Sequence, residues 1–521
     1  MGPYDFFLPP VFDALPEGLA DRLLMGTFGR KAAAQTGLAA LRAAGAGRGD
    51  TATLLRLGLE STLLAFDLDP ANAALARGIL AMPGAADLPA ADRLALHAAA
   101  ADVLGEAWRA ALAAAERTGD WAEVADRIAA AFPEAAAPLR SRLEGLAALA
   151  GGEAARIEAW RANLGQAPAS PGLYWLLARA ALALDGRQSG LAAYGAYLRR
   201  FPWCAQALLV LHDLARGRDT ALAPLAGELA ILLYSWNKAE ALAQTLDGLL
   251  ASDLPERFRI VALDNGSSDA TPDVLAAFAG RLGAQRFTTL RAPVNVGAPA
   301  GRNWLKHRPE VLAADFAAYV DDDVSLPGDW ALRLGAAVAA FPGAGAYGCR
   351  IHDAGRPAVL QATEFFLEPA EAGEGIVASD LQLQAPDLGQ FAYCRPALSV
   401  TGCCHLFTRQ ALAEGGDFDI RFAPSQFDDF DRDLRQALAG RFAVHQGHLA
   451  VGHKRASGLD AARKRAAGAN AHGNMLKLQG KYDSGDVRRL RREQRARLLT
   501  DIRKKAIWLS RREAKGGGEL S

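Results

Sequence analysis

The chain has 521 residues, 51% of them hydrophobic and 22% charged, and its 58 Lys and Arg balance its 58 Asp and Glu. This length predicts about three domains. A zero net charge without a recognised binding motif argues against a nucleic-acid-binding protein. The longest uncharged run, residues 334–349, is too short to span a bilayer. The odd, scattered set of five cysteines shows no zinc-binding spacing and favours a reducing compartment over a disulfide scaffold.

Residues 1–225 are rich in Ala and Leu and have helical periodicity without convincing strands. A short motif ending in proline recurs at Pro133, Pro168 and Pro202, with spacings of 35 and 34 residues. This is the period of tetratricopeptide repeats, in which paired helices stack into a solenoid. We therefore predict an all-α tetratricopeptide-like domain whose concave face binds protein. A plain helical bundle packed on the next domain is the alternative.

Residues 226–460 alternate between strand and helix patterns, as a parallel α/β sheet requires. The first helix is predicted to begin at a capping box formed by Asn237 and Glu240. Apolar runs predict four strands, at 229–234, 259–263, 287–291 and 316–320.

An aspartate triplet, Asp321, Asp322 and Asp323, directly follows the fourth predicted strand. The carboxyl ends of strands are where open α/β sheets bind ligands. Adjacent carboxylates repel one another unless a cation lies among them, and Mg²⁺ prefers such oxygen ligands together with substrate phosphates. The triplet therefore predicts a divalent-cation site, although an isolated acidic turn would have the same composition.

Further motifs follow the other strands in a fixed order. They are Tyr234–Asn237, Asp264–Asp269, Asn295–Gly297 with Ala300–Asn303, the triplet as a DxD motif, and the acidic segments Gly415–Asp419 and Phe427–Arg435. Over residues 228–455 this series resembles family 2 glycosyltransferases with the GT-A fold. The expected fold class is thus an α/β GT-A nucleotide-sugar-binding sheet domain. It is preceded by the helical solenoid and followed by a basic helical tail.

The resemblance implies roles for individual residues on the donor side. Asp321 and Asp323 would hold Mg²⁺ or Mn²⁺, His453 would close the metal or diphosphate site, and Asp322 would face the sugar or ribose. Further donor contacts are expected from Asn237, Asp264, Asn295, Gly297 and Arg302. On local grounds Asp264 is equally suited to an Asx turn before a glycine, and Arg302 to a solvent-facing position on a helix.

The resemblance also implies a general base in the acidic pair Asp428 and Asp429, with Asp429 aligned to the family's catalytic aspartate. An inverting transfer needs such a base to take the proton of the acceptor hydroxyl. The family usually has Glu-Asp where this chain has Asp-Asp, which leaves open which carboxylate acts. The structural alternative is a set of acids at a helix start, where the macrodipole favours them.

Residues 461–521 form a basic C-terminal extension, with twelve Lys or Arg against four acids between Asp486 and Lys515. The spacing of its apolar residues predicts an amphipathic helix. This helix would touch an anionic membrane or a polyanionic acceptor, or form a solvated arm. The N-terminus has no basic region and its apolar stretch is broken by prolines, so we expect no signal peptide. The predicted location is the cytoplasm of a bacterium, with peripheral contact at the inner membrane face.

Together these features predict a metal-dependent inverting enzyme. It would move a single sugar from a UDP-, dTDP- or GDP-sugar to a protein or cell-surface glycan. The alternative is a catalytically dead GT-A domain in a tetratricopeptide scaffold protein. A nucleotidyltransferase on a similar sheet would want a glycine-rich loop before Lys238, and the segment Ser235–Lys238 has none.

Overall fold

The computed structural model describes residues 2–164, 170–370, 373, 375–454 and 461–514. Pro168 of the predicted repeat and Lys515 of the basic stretch lie outside these residues. The described part of the chain comprises a helical region, a mixed sheet with flanking helices, and two C-terminal helices.

The first region is entirely helical. Its α-helices are α1 (Glu17–Met25), α2 (Arg30–Gly45), α3 (Thr51–Asp67), α4 (Ala73–Leu80), α5 (Ala90–Ala100), α6 (Gly105–Thr118), α7 (Trp121–Ala130), α8 (Ala137–Gly151), α9 (Ala154–Asn163), α10 (Pro171–Asp185), α11 (Arg187–Arg200) and α12 (Ala205–Arg216). From α6 onward they form consecutive pairs joined by short turns. Gly119, Gly152 and Gly186 have positive φ in these turns, a conformation that costs glycine little. The helical region predicted from the sequence is therefore present.

The second region is built on a mixed sheet. Its strands are β1 (Leu229–Ser235), β2 (Phe258–Asp264), β3 (Phe287–Arg291), β4 (Phe316–Val320), β5 (Val324–Ser325), β6 (Ala346–Asp353), β7 (Arg356–Ala362), β8 (Glu364–Phe365), β9 (Cys394–Ala397), β10 (Ser399–Val400), β11 (Cys404–Thr408) and β12 (Ala443–His453). The main sheet has the order β3-β2-β1-β4-β11-β6-β12-β5, and β7 and β9 pair with β6 and β12. Strands β1 to β4 are parallel, so their carboxyl ends share one edge. The GT-A sheet domain expected from the sequence is confirmed.

Helices cover this sheet and position its loops. They are α13 (Ala239–Leu250), α14 (Thr271–Leu282), α15 (Ala298–Lys306), α16 (Pro309–Ala313), α17 (Trp330–Ala340), α18 (Arg409–Glu414) and α19 (Asp428–Leu438). The central strands β1 and β4 are almost wholly buried. This explains why they are continuous apolar runs rather than alternating ones.

The helical region and the sheet region share one hydrophobic cluster. Trp175 of α10 is fully buried and its indole N–H donates to the carbonyl of Leu388 at 3.0 Å. Asp213 of α12 accepts a hydrogen bond from the Cys394 N–H at 2.6 Å and pairs with His448 of β12 at 3.1 Å. The chain therefore buries apolar surface and ionic groups across the junction near residue 225.

The C-terminal helices are α20 (Ala461–Lys481) and α21 (Ser484–Ala514). The sequence predicted the amphipathic pattern of α21. The helix is not a solvated arm, which was one of the alternatives for it. Its apolar side is buried against α1, α12, α19 and β9. Basic residues on its flanks bind neighbouring carbonyl and carboxylate oxygens, as Arg491 does at Glu368 and Arg503 at Phe7. The apolar face of α21 is thus occupied by the protein's own core.

The predicted capping box at Asn237 is wrong. Helix α13 begins at Ala239, and Asn237 has a positive φ of 53° in the preceding loop. The N–H of Ala239 is bound instead by the carboxylate of Asp269 at 3.1 Å. A cap supplied by a residue thirty positions away leaves no local sequence signal.

Candidate active site

The candidate site lies where the parallel strands β1, β2 and β4 end. Ser235 and Asp264 are register partners at the ends of β1 and β2, and Asp321 follows the last residue of β4. Because parallel strands point the same way, their following loops meet at this edge. The sheet therefore brings the Asn237 loop, the Asp264 loop and the aspartate triplet together.

The last two carboxylates of the triplet share a lysine that the sequence analysis did not select. Lys238 donates to Asp322 at 2.9 Å and to Asp323 at 2.7 Å. Both aspartate side chains are under 10% exposed, while that of Lys238 is 41% exposed. The backbone here is held by the Thr245 hydroxyl, which accepts from the Val324 N–H and has the carbonyls of Asp322 and Val324 within reach of its single proton. Like-charge repulsion between Asp322 and Asp323 is thus offset by one partly exposed cation.

His453, at the end of β12, lies against the triplet. Its Nε2 is 3.1 Å from the Asp323 carboxylate, and its Nδ1 is 2.7 Å from the amide oxygen of Gln361. Burial on its own would raise the pKa of Asp323, but His453 and Lys238 outweigh it and lower that pKa. Gln361 fixes the imidazole in the manner of the outer partners that orient metal-ligating histidines.

A third side chain, Cys403, joins Asp321 and His453. The ligating atoms of these three residues lie within 4.8 Å of one another. The sequence analysis gave no site role to the cysteines, yet Cys403 is partly exposed at the site, while Cys404 is buried in the sheet. Burial, followed by the charge of Asp321, raises the pKa of the Cys403 thiol. Oxygen, nitrogen and sulfur donors therefore meet at one point.

The acidic pair at the start of α19 divides between two environments. Asp428 is buried and accepts a hydrogen bond from Arg302 at 2.6 Å. Asp429 is partly exposed and accepts from the N–H of Gly402 at 2.7 Å and from its neighbour Phe430 at 2.8 Å. Among the described residues Asp428 is therefore the member of the pair that forms an ion pair, and the hydrogen bonds to Asp429 come from the backbone.

Backbone groups of two consecutive residues connect the triplet to the acidic pair. The Gly402 N–H donates to Asp429, and the Cys403 carbonyl accepts from the Asp321 N–H at 3.0 Å. A Cβ on Gly402 would lie 2.6 Å from an Arg302 nitrogen and 2.8 Å from an Asp429 oxygen, so the turn needs glycine. This same nitrogen, Nη2 of Arg302, is 3.9 Å from Asp321, whereas Nη1 binds Asp428. Arg302 thus faces the acids on both sides of this turn and does not face solvent.

The expected donor-side residues line the loops after β1, β2 and β3. Asp264 is buried, accepts from the Ser267 N–H at 2.8 Å and pairs with Arg291 at 3.2 Å. The first of these bonds is the local turn foreseen for it. Asn237 accepts from the Ser268 N–H at 2.8 Å, so the first two loops brace each other.

The third loop is braced in the same way. Asn295 accepts from the side chain of Asn265 at 3.0 Å and from the N–H of Gly297 at 2.9 Å. Gly297 has a positive φ of 81°, and a Cβ there would meet Pro424 at 3.2 Å. The loops therefore form a connected rim at the end of the sheet.

Sequence reasoning missed Lys238, Gln361 and Cys403 as site residues. The sequence analysis considered Lys238 only for the nucleotidyltransferase alternative, which the missing glycine-rich loop disfavours. Gln361 lies on β7, outside every motif. No local pattern reveals them, because Lys238 meets residues over eighty positions away and Gln361 meets one ninety-two positions away.

Comparison with known proteins agrees with this fold. Residues 230–416 match the family model described as glycosyl transferase family 2. The chain therefore contains a glycosyltransferase domain of this family, with a GT-A sheet. No curated protein matches the chain.

Among solved structures, the chain is similar to GalNAc-T7 with UDP, GalNAc and Mn²⁺, at 11% identity and a TM-score of 0.35, covering 44% of this chain and 43% of that one. It is also similar to the mannosyltransferase PcManGT from Pyrobaculum calidifontis in complex with GDP-Man and Mn²⁺, at 16% identity and a TM-score of 0.36, covering 61% and 88%. A third is S. aureus TarS, at 12% identity and a TM-score of 0.30, covering 44% and 37%. The similarity thus spans less than half of two of these three chains.

Proposed function

We propose that this protein transfers a single sugar from a nucleotide-sugar donor to a hydroxyl acceptor, with a divalent cation and with inversion of the anomeric configuration. The observation that carries the proposal is the Gly402–Cys403 turn, in which the Gly402 N–H binds the Asp429 carboxylate and the Cys403 carbonyl binds the Asp321 N–H. A cation site and a candidate base are thereby held side by side at the end of the sheet. Both are needed for one displacement at a sugar carbon.

A divalent cation would be held by Asp321 and His453, whose ligand atoms lie with that of Cys403 within 4.8 Å of one another, and by Asp323, which is 3.1 Å from His453. When bound, such a cation would neutralise the charge that develops on the departing diphosphate. Because imidazole joins the carboxylates, we expect Mn²⁺ to be preferred over Mg²⁺, which favours oxygen ligands. Lys238 already balances Asp322 and Asp323 and would remain beside the diphosphate as a second positive charge. Asn237, Asp264, Asn295 and Gly297 would frame the nucleoside, and Asp322 would face the sugar or ribose.

Asp429 is the proposed general base. Two backbone N–H groups orient its carboxylate, and Arg302 is occupied by Asp428 instead of by Asp429. A carboxylate that is oriented but not paired with a cation can take the acceptor proton as its oxygen attacks. Asp428 is then a positioning residue, which fixes Arg302 between the pair and the triplet.

We also propose that the helical region contributes to acceptor binding. The turn between β6 and β7 begins beside the metal site, since the Ala354 N–H donates to the His453 carbonyl at 3.2 Å. Beyond it lies a cleft of about 440 Å³, lined by Trp121 and Arg179 of the helical region and by Arg350 and Arg356 of the sheet region. Arginine side chains suit a polar polymer such as a protein segment or a surface glycan.

The proposal is tested by donor hydrolysis and product stereochemistry. The full-length protein is incubated with Mn²⁺ and a panel of UDP-, dTDP- and GDP-sugars, and release of nucleoside diphosphate is measured. Turnover of one donor class is expected, and nuclear magnetic resonance of the transfer product should show an inverted anomeric centre. A retained configuration would refute Asp429 as the base. No turnover of any donor, with Mn²⁺ binding intact, would favour a scaffold role.

A further inference from the structure

A basic pocket lies far from the candidate active site, between the C-terminal ends of α12 and α17 and the side of α21. Its volume is about 350 Å³, and its charged or aromatic lining includes Arg216, Arg218, Arg497, Lys504, Lys505 and Trp508. The carboxylate in this lining is Asp501, which already binds Lys505 at 2.7 Å. The pocket therefore has a large excess of positive charge in a chain of zero net charge.

The position of the pocket separates it from the donor site. Pro396, which lines it, pairs with Val444 at the beginning of β12, whereas His453 ends the same strand. Nine residues of strand correspond to up to about 30 Å. A ligand in the basic pocket would thus be distinct from the sugar donor.

Arg218 is the most informative residue of the lining. Its Nη1 is buried and has no hydrogen-bond partner among the described residues. Asp213, its nearest carboxylate, is 3.6 Å away and is already bound by His212, His448 and the Cys394 N–H. A buried donor without a hydrogen-bond partner is destabilising, so an acceptor supplied by a ligand would stabilise this arrangement.

Two aromatic rings position the guanidinium groups of the pocket. Arg216 lies 5.1 Å from the centre of the Trp508 ring, and Arg218 lies 5.4 Å from that of Phe341. Arg216 and Lys504 are exposed and have no carboxylate partner among the described residues. Stacked guanidinium groups keep their N–H edges available, and these edges match the oxygens of a phosphate group.

We propose that this pocket binds a ligand bearing phosphate groups, either a soluble phosphorylated compound or the headgroup of an anionic lipid. Several cations around one cavity favour a polyanion over a single carboxylate. The proposal is independent of sugar transfer, because none of the lining residues belongs to the candidate active site.

The test uses the full-length protein and two probes. Pyrophosphate binding is measured by calorimetry, and sedimentation is measured with phosphatidic acid vesicles and with neutral phosphatidylcholine vesicles. The double variant Arg216→Gln/Lys504→Gln should weaken binding of the recognised probe at least about tenfold, because two charge-assisted contacts are lost. The matched control Arg488→Gln/Arg492→Gln removes the same charge from exposed positions of α21 outside the pocket and should bind like the wild type.

The two probes distinguish the sources of the phosphate. Pyrophosphate binding without vesicle binding identifies a soluble ligand, and binding to phosphatidic acid vesicles that the pocket variant loses identifies a lipid headgroup. The proposal is overturned when neither probe binds, or when both double variants weaken binding equally. The four substituted side chains are exposed, and circular dichroism of both variants verifies that the fold is unchanged.

Discussion

Arg302 donates to the carboxylate of Asp428 at 2.6 Å, and both side chains are almost completely buried. Because of this ion pair, the two adjacent acids of α19 have different partners. Asp428 compensates a buried guanidinium, and Asp429 is left with backbone partners at the edge of the site. Replacing each acid by its amide should therefore produce different defects.

Asp429→Asn should lower the rate of transfer by about 10²-fold or more, because the amide keeps the shape but cannot accept the acceptor proton. Affinity for the nucleoside diphosphate, measured by calorimetry, should change little. The unfolding free energy should also stay close to that of the wild type. An active Asp429→Asn enzyme would show that another group serves as the base.

Asp428→Asn should instead lower stability. Breaking a buried ion pair on one side typically costs about 3–5 kcal/mol, since the remaining charge is left without a partner. Urea unfolding of this variant measures the loss. If the Asp428→Asn protein kept wild-type stability but lost transfer, the roles assigned to the two acids would have to be exchanged.

Removal of the divalent cation should abolish donor turnover. EDTA treatment followed by addition of Mn²⁺ or Mg²⁺ tests this, with Mn²⁺ expected to restore more activity. Asp323→Ala should lose at least about 10²-fold in rate, because the charge of the departing diphosphate is left without its cation. Full activity in EDTA would contradict the metal assignment of Asp321, Asp323 and His453.

Cys403 would give the proposed cation site a donor that favours softer metals. Thiolate ligands select Zn²⁺ and related cations over Mg²⁺. Cys403→Ser should therefore weaken binding of Cd²⁺, a soft probe, and leave Mn²⁺ activation nearly unchanged. Isothermal titration with both metals measures this, and equal Cd²⁺ affinity in the two proteins would show that the sulfur is not a ligand.

The sequence was a good guide to the strands that carry the site. The predicted strand 316–320 has the same bounds in the structure, and 287–291 does as well. Both results follow from local causes, namely short apolar or β-branched runs bounded by polar loops. The aspartate triplet could be placed at the sheet edge for the same reason, whereas the acidic pair at the start of α19 was selected through the family resemblance.

The contacts that organise the site were not predictable from local patterns. Lys238 reaches the triplet from another strand's loop, and Asp269 replaces Asn237 as the source of the cap on α13. The surface against which the amphipathic helix α21 packs could not be predicted either, because an apolar stripe does not specify what will cover it. In each case tertiary packing, which brings distant residues together, decided the outcome.

Because His445 is buried, we expect the protein to lose stability in weak acid. It is fully buried in β12, its Nε2 is 3.1 Å from the Phe391 carbonyl, and its Nδ1 has no partner among the described residues. Burial lowers the pKa of His445 from 6.5 to about 4, against the charge of Glu364 and together with the charges of Arg395 and Arg350. The unfolded chain therefore takes up a proton at a higher pH than the folded one.

The sign follows from linkage between proton binding and folding. The stabilising effect of a neutral His445 is complete above pH 6.5 and is lost as the pH falls from 6.5 towards 4. Between pH 7 and pH 5 this amounts to about 2 kcal/mol. His445→Gln keeps a donor for Phe391 and should flatten the pH dependence by that amount in urea unfolding. Parallel curves for the two proteins would show that His445 is not the group responsible.

The last prediction concerns the junction between the helical region and the sheet region. Trp175 is fully buried among Phe28, Tyr194 and Tyr197 and binds the Leu388 carbonyl of the sheet region. Trp175→Ala should cost about 3–5 kcal/mol, a large part of a typical stability. The control Trp304→Ala removes a tryptophan that is 41% exposed and should cost less than about 0.5 kcal/mol.

Because the two regions share one core, Trp175→Ala should weaken them together. Circular dichroism, which follows the helices, and binding of nucleoside diphosphate, which follows the sheet edge, should be lost at the same urea concentration. A chain starting at Ala221 lacks Trp175 and Asp213 and should be insoluble, since it exposes the surfaces that both residues cover. A soluble fragment from Ala221 that binds nucleoside diphosphate with unchanged affinity would show that the sheet region folds by itself. In that case the helical region would contribute only to acceptor binding and not to the folding of the sheet region.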